Sequence, residues 1–425
     1  MSETRRTFLT ASAAAAVPFF IKGDSKTDSK NKLLGEGGHQ YECIHDWGQL
    51  PSNIKYGNTH SVCEDSQGHI YIHHTVYKDS PSPDSVVVFD EKGKFVRSFG
   101  SMFRGGAHGM HLSKEGKTEY LYFCDEKHGI ITKRTLKGEE IWTMGYPQDS
   151  PIYQKGPGST GPGGAAGLNY RPTNFAIAPN LDFWVGDGYG SYYMFHYSQA
   201  SSTSYPKLVK TFGGPPAGQA QGAGRGPGGG GGGAAKGPGG GAGRGPGGGG
   251  GAGGAGGGAP QQVAAGGGGR GPAQPPPPGQ PGVPRDVPID STNNPHGNMV
   301  DLRDPANPIL LIADRGNNRI VRYTLDDKPI DVVAGTKSPC HFHTYKDTVV
   351  VPDFQARVTL LDKNDKIILH LGEPTVPNPP RTTENRADFV AGQFVQPHGA
   401  IFDHAGNIFV TEWVEIGRVT KLRKV

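Results

Sequence analysis

The chain reads as an all-β protein, a six-bladed β-propeller whose ring is closed by the N-terminal strand joining the last blade. Three observations predict this: a recurring histidine phrase, four apolar strands to each recurrence, and an orphan strand near the start. The phrase begins at His60, His108, His296 and His398, as HSVCEDSQGHIYI, HGMHLSKEG, HGNMVDLRDP and HGAIFDHAGNIFV. Each copy runs from the histidine through alternating apolar residues to a turn on Gly, Pro or Asp, then into a second apolar strand. Period-two alternation broken by turn residues marks short antiparallel strands. A fifth copy, RPTNFAIAPNLDFWV from Arg171, has Thr173 where the histidine stands. A sixth, SPCHFHTYKDTVVV, leaves Cys340 and His341 as alternatives for that place.

Third and fourth strands follow, as in DSVVVFD then KFVRSFG, YYMFHYS then KLVKTFG, and RIVRYTL then IDVVAG. Four-stranded units of about 40 residues are propeller blades in sequence, because one blade cannot bury both faces and must stack on neighbours around an axis. Six copies predict six blades. The last stops at a third strand, GRVTKLRKV, while HQYECIHDWG at His39 to Gly48 resembles the closing strands of other blades. That segment is predicted to complete the final blade and remove the exposed edge.

The organisation reads as 1–23 signal, 24–38 linker and 39–425 propeller, interrupted at 213–283. The signal resembles a twin-arginine export sequence: Arg5 and Arg6 precede Phe8, Leu9 and an alanine-rich run too short to span a bilayer comfortably. Export implies a periplasmic, cell-surface or secreted protein, with membrane contact only through an uncleaved signal. The insertion is almost entirely Gly, Pro, Ala and Gln. It has too few large apolar side chains to offset its ordering entropy, so disorder is predicted. The formal net charge of +4 includes residues of the signal and the insertion, so the core carries no nucleic-acid footprint. Cys43, Cys63, Cys124 and Cys340 show no metal-like spacing. A Cys43–Cys63 disulfide between adjacent blades and free buried thiols both fit.

In a six-bladed ring alternate blades are related by about 120°, and the first residue of each innermost strand faces the central tunnel. His108, His296 and His398 begin the second, fourth and sixth blades. Three imidazoles with that symmetry would make a metal site with an open axial position, the arrangement of catalytic zinc. His60, from the first blade, breaks the symmetry and stands as a fourth ligand, a proton carrier or a hydrogen-bonding residue. The competing reading has these histidines simply satisfying backbone groups at the tunnel mouth.

The repeats resemble NHL repeats. The set of Pro295-His296-Gly297 with ADRGNNRI, PTNFAIAP with VGDGYG, and Pro397-His398-Gly399 resembles the peptidyl-α-hydroxyglycine α-amidating lyase propeller. That resemblance covers the six repeats. It implies cleavage of a C-terminal α-hydroxyglycine to an amide and glyoxylate, with zinc on His108, His296 and His398. It also implies Tyr189 as catalytic base and Arg315 as the partner of the substrate carboxylate. The family's first-blade arginine, in a His-Arg pair, is absent from Ile72-His73-His74-Thr75, which leaves His74 as its replacement. Gly399 stands where the family has an aspartate that helps hold calcium, so the resemblance does not carry calcium over.

The leading expectation is an exported, zinc-dependent, lyase-like enzyme, monomeric, with a small-molecule or peptide substrate in the tunnel. The alternative is a non-catalytic NHL propeller that binds a protein, peptide or glycan. A lactonase-type propeller would want carboxylate and Asn ligands in place of the histidines.

Overall fold

The computed structural model describes residues 32–153, 170–216 and 287–425. The expected export signal, most of the Gly/Pro-rich insertion and the smaller stretch at 156–167 lie outside them. The described residues form six antiparallel sheets. Blade 1 comprises Thr59–Glu64, Ile70–His74, Val86–Phe89 and Phe95–Phe99, and blade 2 comprises Ala107–Glu115, Thr118–Asp125, Ile130–Thr135 and Glu140–Met144. Blade 3 comprises Phe175–Ile177, Phe183–Gly186, Tyr193–Ser198 and Lys207–Gly213, and blade 4 comprises Pro295–Asp301, Ile309–Asp314, Arg319–Thr324 and Pro329–Val333. Blade 5 comprises His343–Tyr345, Thr348–Asp353, Arg357–Leu361 and Ile367–Leu371. Blade 6 takes Pro397–Phe402, Ile408–Glu412 and Arg418–Lys424 from the C-terminal end, then Tyr41–Ile44 from the other.

The closure follows the sequence expectation. Tyr41 pairs with Lys424 and Cys43 with Leu422, and the Trp47 N–H donates to the Val419 carbonyl at 2.9 Å. Leu33–Leu34, read from sequence as linker, adds a fifth strand by pairing with Tyr41 and Glu42. Among the described residues no helix is long and apolar enough to cross a membrane.

Alternation builds the ring. Successive strand residues face opposite sides of a sheet, so Leu310 and Ile312 of blade 4 pack toward Trp184 and Met194 of blade 3, while Leu311 and Ala313 pack toward Val349 and Val351 of blade 5. The same arrangement repeats around the circle. Ile401 and Phe409 of blade 6 pack with Ile72 and Phe89 of blade 1, which seals the last interface. Removing such side chains from water contributes roughly 1.5–3 kcal/mol each. All four cysteines are buried and free, so the open question of a Cys43–Cys63 disulfide resolves to separate thiols, one in the blade 5–6 core and one in the blade 1–2 core.

Two features recur at the axis. The first is a β-bulge at each phrase histidine: Pro295 pairs with Asp314 and then Asn298 with Ile312, which leaves His296 and Gly297 out of the ladder. Comparable shifts fall at His60, His108 and His398. A bulge re-aims a side chain that strict alternation would direct along the sheet face. The second is a buried acid closing the second strand of five blades: Asp125, Asp187, Asp314, Asp353 and Glu412. Each gathers turn N–H groups, side-chain donors or both, as when Asp314 accepts from Asn293 N, Asn317 Nδ2 and Arg319 Nε at 2.6–2.8 Å. The following loop is thereby fixed.

Candidate metal centre and its rim

The bulges bring the four phrase histidines together. Ring centroids lie 5.0 Å apart for His60–His108, 4.6 Å for His60–His398, 4.8 Å for His108–His296, 4.9 Å for His108–His398 and 4.6 Å for His296–His398. Two triangles thus share the His108–His398 edge, with His60 and His296 at the outer corners. All four side chains are buried.

The even-blade histidines share one anchoring scheme. The Nδ1–H of His108 donates to the Thr173 carbonyl at 2.6 Å, that of His296 to the Cys340 carbonyl at 2.9 Å, and that of His398 to the His60 carbonyl at 2.9 Å. A carbonyl only accepts, so each Nδ1 carries the hydrogen and each Nε2 is left as a bare lone pair. Metal-ligating histidines are typically oriented in this way. The glycine after each histidine makes the contact feasible. A Cβ at Gly109, Gly297 or Gly399 would lie 2.3–2.6 Å from the carbonyl oxygen of Thr173, Cys340 or His60, the neighbouring inner strand's own acceptor. Hence the even blades read His-Gly, while Thr173, Cys340 and His60 hold the acceptor positions. The fifth-blade ambiguity resolves to Cys340, because Pro339 bridges Asp353 just as Pro295 pairs with Asp314. Gly399 leaves no room for the calcium-holding carboxylate of the family pattern.

His60 departs from the scheme. Neither of its ring nitrogens has a hydrogen-bond partner among the described residues, and the same holds for His398 Nε2. His60, His108 and His398 offer ligand nitrogens that all lie within 4.8 Å of one another. His296 is engaged elsewhere: its Nε2 accepts from the Tyr189 hydroxyl at 3.1 Å, a hydroxyl that also lies 3.3 Å from His108 Nε2. Ranked by anchoring, the sequence-derived set of His108, His296 and His398 is favoured; ranked by free nitrogens and proximity, His60 displaces His296. The second criterion weighs more, since the orphaned atoms are the ones that need a ligand. Burial and mutual repulsion hold His60, His296 and His398 well below the usual histidine range, and burial brings His108 to about 3. All four are therefore neutral donors at physiological pH.

The loop after each buried acid supplies the rim. Tyr189 follows Asp187 by two residues, and Arg315, Phe354 and Trp413 directly follow Asp314, Asp353 and Glu412. Asp187 fixes its turn by accepting from Arg171 N, Ser191 N and Ser191 Oγ at 2.6–2.7 Å. The Arg315 guanidinium carbon lies 5.2 Å from the Tyr189 ring centre and 5.1 Å from that of Phe354. Burial raises the Tyr189 pKa above 10, and the Arg315 charge opposes that rise. His74 occupies a different position. It pairs with Thr59 as Asp314 pairs with Pro295, so it stands in the slot of the buried acid. There its Nδ1 accepts from Val76 N at 3.0 Å, and burial lowers its pKa to about 3, so at neutral pH it supplies no cation.

Phe354, Trp413 and Arg171 escaped the sequence reading. The signal that could have found Phe354 and Trp413 is the acid ending each second strand, with its next residue facing the rim; Arg171, which precedes the inner strand of blade 3, carries no such signal. A cavity of about 350 Å³ lies toward the other ends of the inner strands, lined in part by His111, His341 and His343. It does not include the four central histidines.

The chain matches no family model and no curated protein sequence. Among solved structures it is similar to a streptogramin B lyase, with TM-score 0.46 and 11% identity over 92% of this chain and 99% of that one. It is also similar to a catalytically inactive virginiamycin B lyase from Staphylococcus aureus with quinupristin, with TM-score 0.44 and 10% identity over 90% of this chain and 100% of that one. The functional reading that follows rests on the axial side chains alone.

Proposed function

We propose that this propeller is a metal-dependent lyase acting on a small, carboxylate-bearing substrate, and that its reaction is cleavage of peptidyl-α-hydroxyglycine to a peptide amide and glyoxylate. The observation that carries this reading is the knot of neutral, buried histidines with bare nitrogens beside Tyr189 and Arg315. A buried polar atom without a partner costs about 1–3 kcal/mol, and both His60 nitrogens and His398 Nε2 are in that state. A cation among them would relieve that cost at the lone-pair nitrogen of His60 and at His398 Nε2. Neutral imidazole donors suit zinc, and His60, His108 and His398 would hold it. When bound, the ion would polarise the substrate hydroxyl oxygen and favour the Tyr189 phenolate over the phenol.

The chain's own groups supply the rest. Arg315 presents a planar fork of donors to the substrate carboxylate, a geometry suited to bidentate recognition. Tyr189 Oη, ionised, takes the proton of the α-hydroxyl. The freed electron pair forms the carbonyl of glyoxylate as the C–N bond breaks, and the same proton passes from Tyr189 to the departing amide nitrogen. Nothing is oxidised, and no proton is gained or lost overall.

Arg5 and Arg6 support, in the same proposal, export by the twin-arginine route. Its substrate is a small molecule or peptide, and it acts as a monomer. Metal analysis of purified protein is the first test. Stoichiometric zinc with release of glyoxylate from an α-hydroxyglycine peptide is expected. Protein that holds no zinc, and gains no activity on adding it, would overturn the enzyme reading in favour of a non-catalytic propeller.

A further inference from the structure

We propose that the rim carries a subsite for an aromatic side chain, so that the preferred ligands are peptides with a C-terminal carboxylate and an aromatic residue just before the terminal unit. This rests on the reading of Arg315 as the carboxylate partner and extends it to a group of side chains not yet given a role. Six residues form one continuous run of ring and guanidinium contacts across blades 3 to 6. Arg171 lies 5.1 Å from the Tyr189 ring and Arg315 5.2 Å from its centre; Arg315 lies 5.1 Å from Phe354; Phe354 and Trp413 are 5.6 Å apart; and Arg381 lies 3.6 Å from the Trp413 ring. Aromatic–aromatic and guanidinium–aromatic contacts at these separations are attractive.

Charge divides the run into two functions. Arg171 is held by Glu126 at 2.7 Å and Arg381 faces Glu415 at 4.0 Å. Among the described residues Arg315 has no carboxylate partner; its Nη1 lies 3.9 Å from the Cys340 thiol. A ligand carboxylate therefore belongs at Arg315. On one side of that seat is Tyr189, which touches the histidines. On the other are Phe354 and Trp413, with the Arg381 guanidinium over the indole and partly exposed. A peptide advances roughly 3.3–3.6 Å per residue, so the side chain before the terminal unit reaches the Phe354–Trp413 face while the terminal unit stays at Tyr189. Guanidinium and indole surfaces reward a planar ring more than a methyl group.

The test uses zinc-loaded protein and two peptide acids that lack the α-hydroxyl and so cannot be cleaved, N-acetyl-Phe-Gly and N-acetyl-Ala-Gly. Calorimetric titration should show the phenylalanyl peptide binding about threefold to tenfold more tightly. Trp413→Leu should abolish that preference while leaving the alanyl peptide's affinity unchanged. Arg381→Ala, which removes only the outermost group, should reduce the preference without removing it. N-acetyl-Phe-amide, lacking the carboxylate, should bind about tenfold or more weakly than N-acetyl-Phe-Gly. Equal affinities for the two acids, or a preference that persists in a folded Trp413→Leu protein, overturns the subsite. Cleavage of α-hydroxyglycine peptides without regard to the preceding residue overturns the subsite but keeps the lyase. Selective binding without cleavage does the reverse. Binding of neither acid overturns both.

Discussion

His60→Ala and His296→Ala separate the two possible ligand sets, because they remove opposite corners of the histidine cluster. A site of four protein ligands binds zinc with about 10–16 kcal/mol, so one ligand is worth about 2.5–4 kcal/mol, or on the order of 10²–10³-fold in affinity. His60→Ala deletes a ring whose two nitrogens have no other partner, so that full loss should appear. His296→Ala deletes a ring already hydrogen-bonded to Tyr189 at 3.1 Å and to the Cys340 carbonyl at 2.9 Å. Its metal affinity should fall by no more than about tenfold, the lower end of effects from supporting partners, and its cost should appear as stability, about 1–3 kcal/mol for the orphaned carbonyl. Zinc content after dialysis against a competing chelator reads the first effect, and denaturant unfolding of the apo-proteins reads the second. Metal that survives in His60→Ala and is lost in His296→Ala would refute the assignment and restore the even-blade set.

Other outcomes follow from single groups. Tyr189→Phe keeps the ring contacts and removes the hydroxyl; glyoxylate release should drop by about 10²–10⁴ with zinc content unchanged, and loss of zinc with the hydroxyl would show that Tyr189 is a ligand instead. His73 is buried against Phe103 and Phe123 with both nitrogens unpartnered, and its pKa is lowered to about 3. Such a histidine is neutral when folded and takes up a proton on unfolding below pH 6.5, so its contribution is present above that pH and is lost as pH falls toward 3, at about 1.4 kcal/mol per pH unit. His73→Phe should therefore raise stability at pH 5 more than at pH 7.5; an equal gain at both would contradict the titration. Lys133 and Glu115 form a fully buried pair at 2.6 Å. Lys133→Met should cost about 3–5 kcal/mol in denaturant unfolding by stranding the carboxylate, and Glu115→Gln in the same background should recover part of it. A cost below about 1 kcal/mol would show the pair to be screened.

The blade count, the closing strand and the convergence of the even-blade histidines were legible in the primary structure because they depend on local pattern. Period-two alternation sorts Leu310 and Ile312 from Leu311 and Ala313 onto the two faces that neighbouring blades cover, and the unmatched strand at Tyr41 has one free edge left to join. The His-Gly dipeptides likewise state, residue by residue, where the next inner strand comes close. What only the tertiary structure decided concerns groups set by register and approach. His74 stands at the position where the resemblance implies a cation, yet its pairing with Thr59 puts it in the slot of a buried acid, where desolvation keeps it neutral. His60 could be a fourth ligand, a proton carrier or a hydrogen-bonding residue until the bulges brought its ring, with neither nitrogen partnered, against His108 and His398. Phe354 and Trp413 reach the rim only because buried acids far apart in the chain fix equivalent loops around one axis, and spacing along a strand carries no information about distance across a ring.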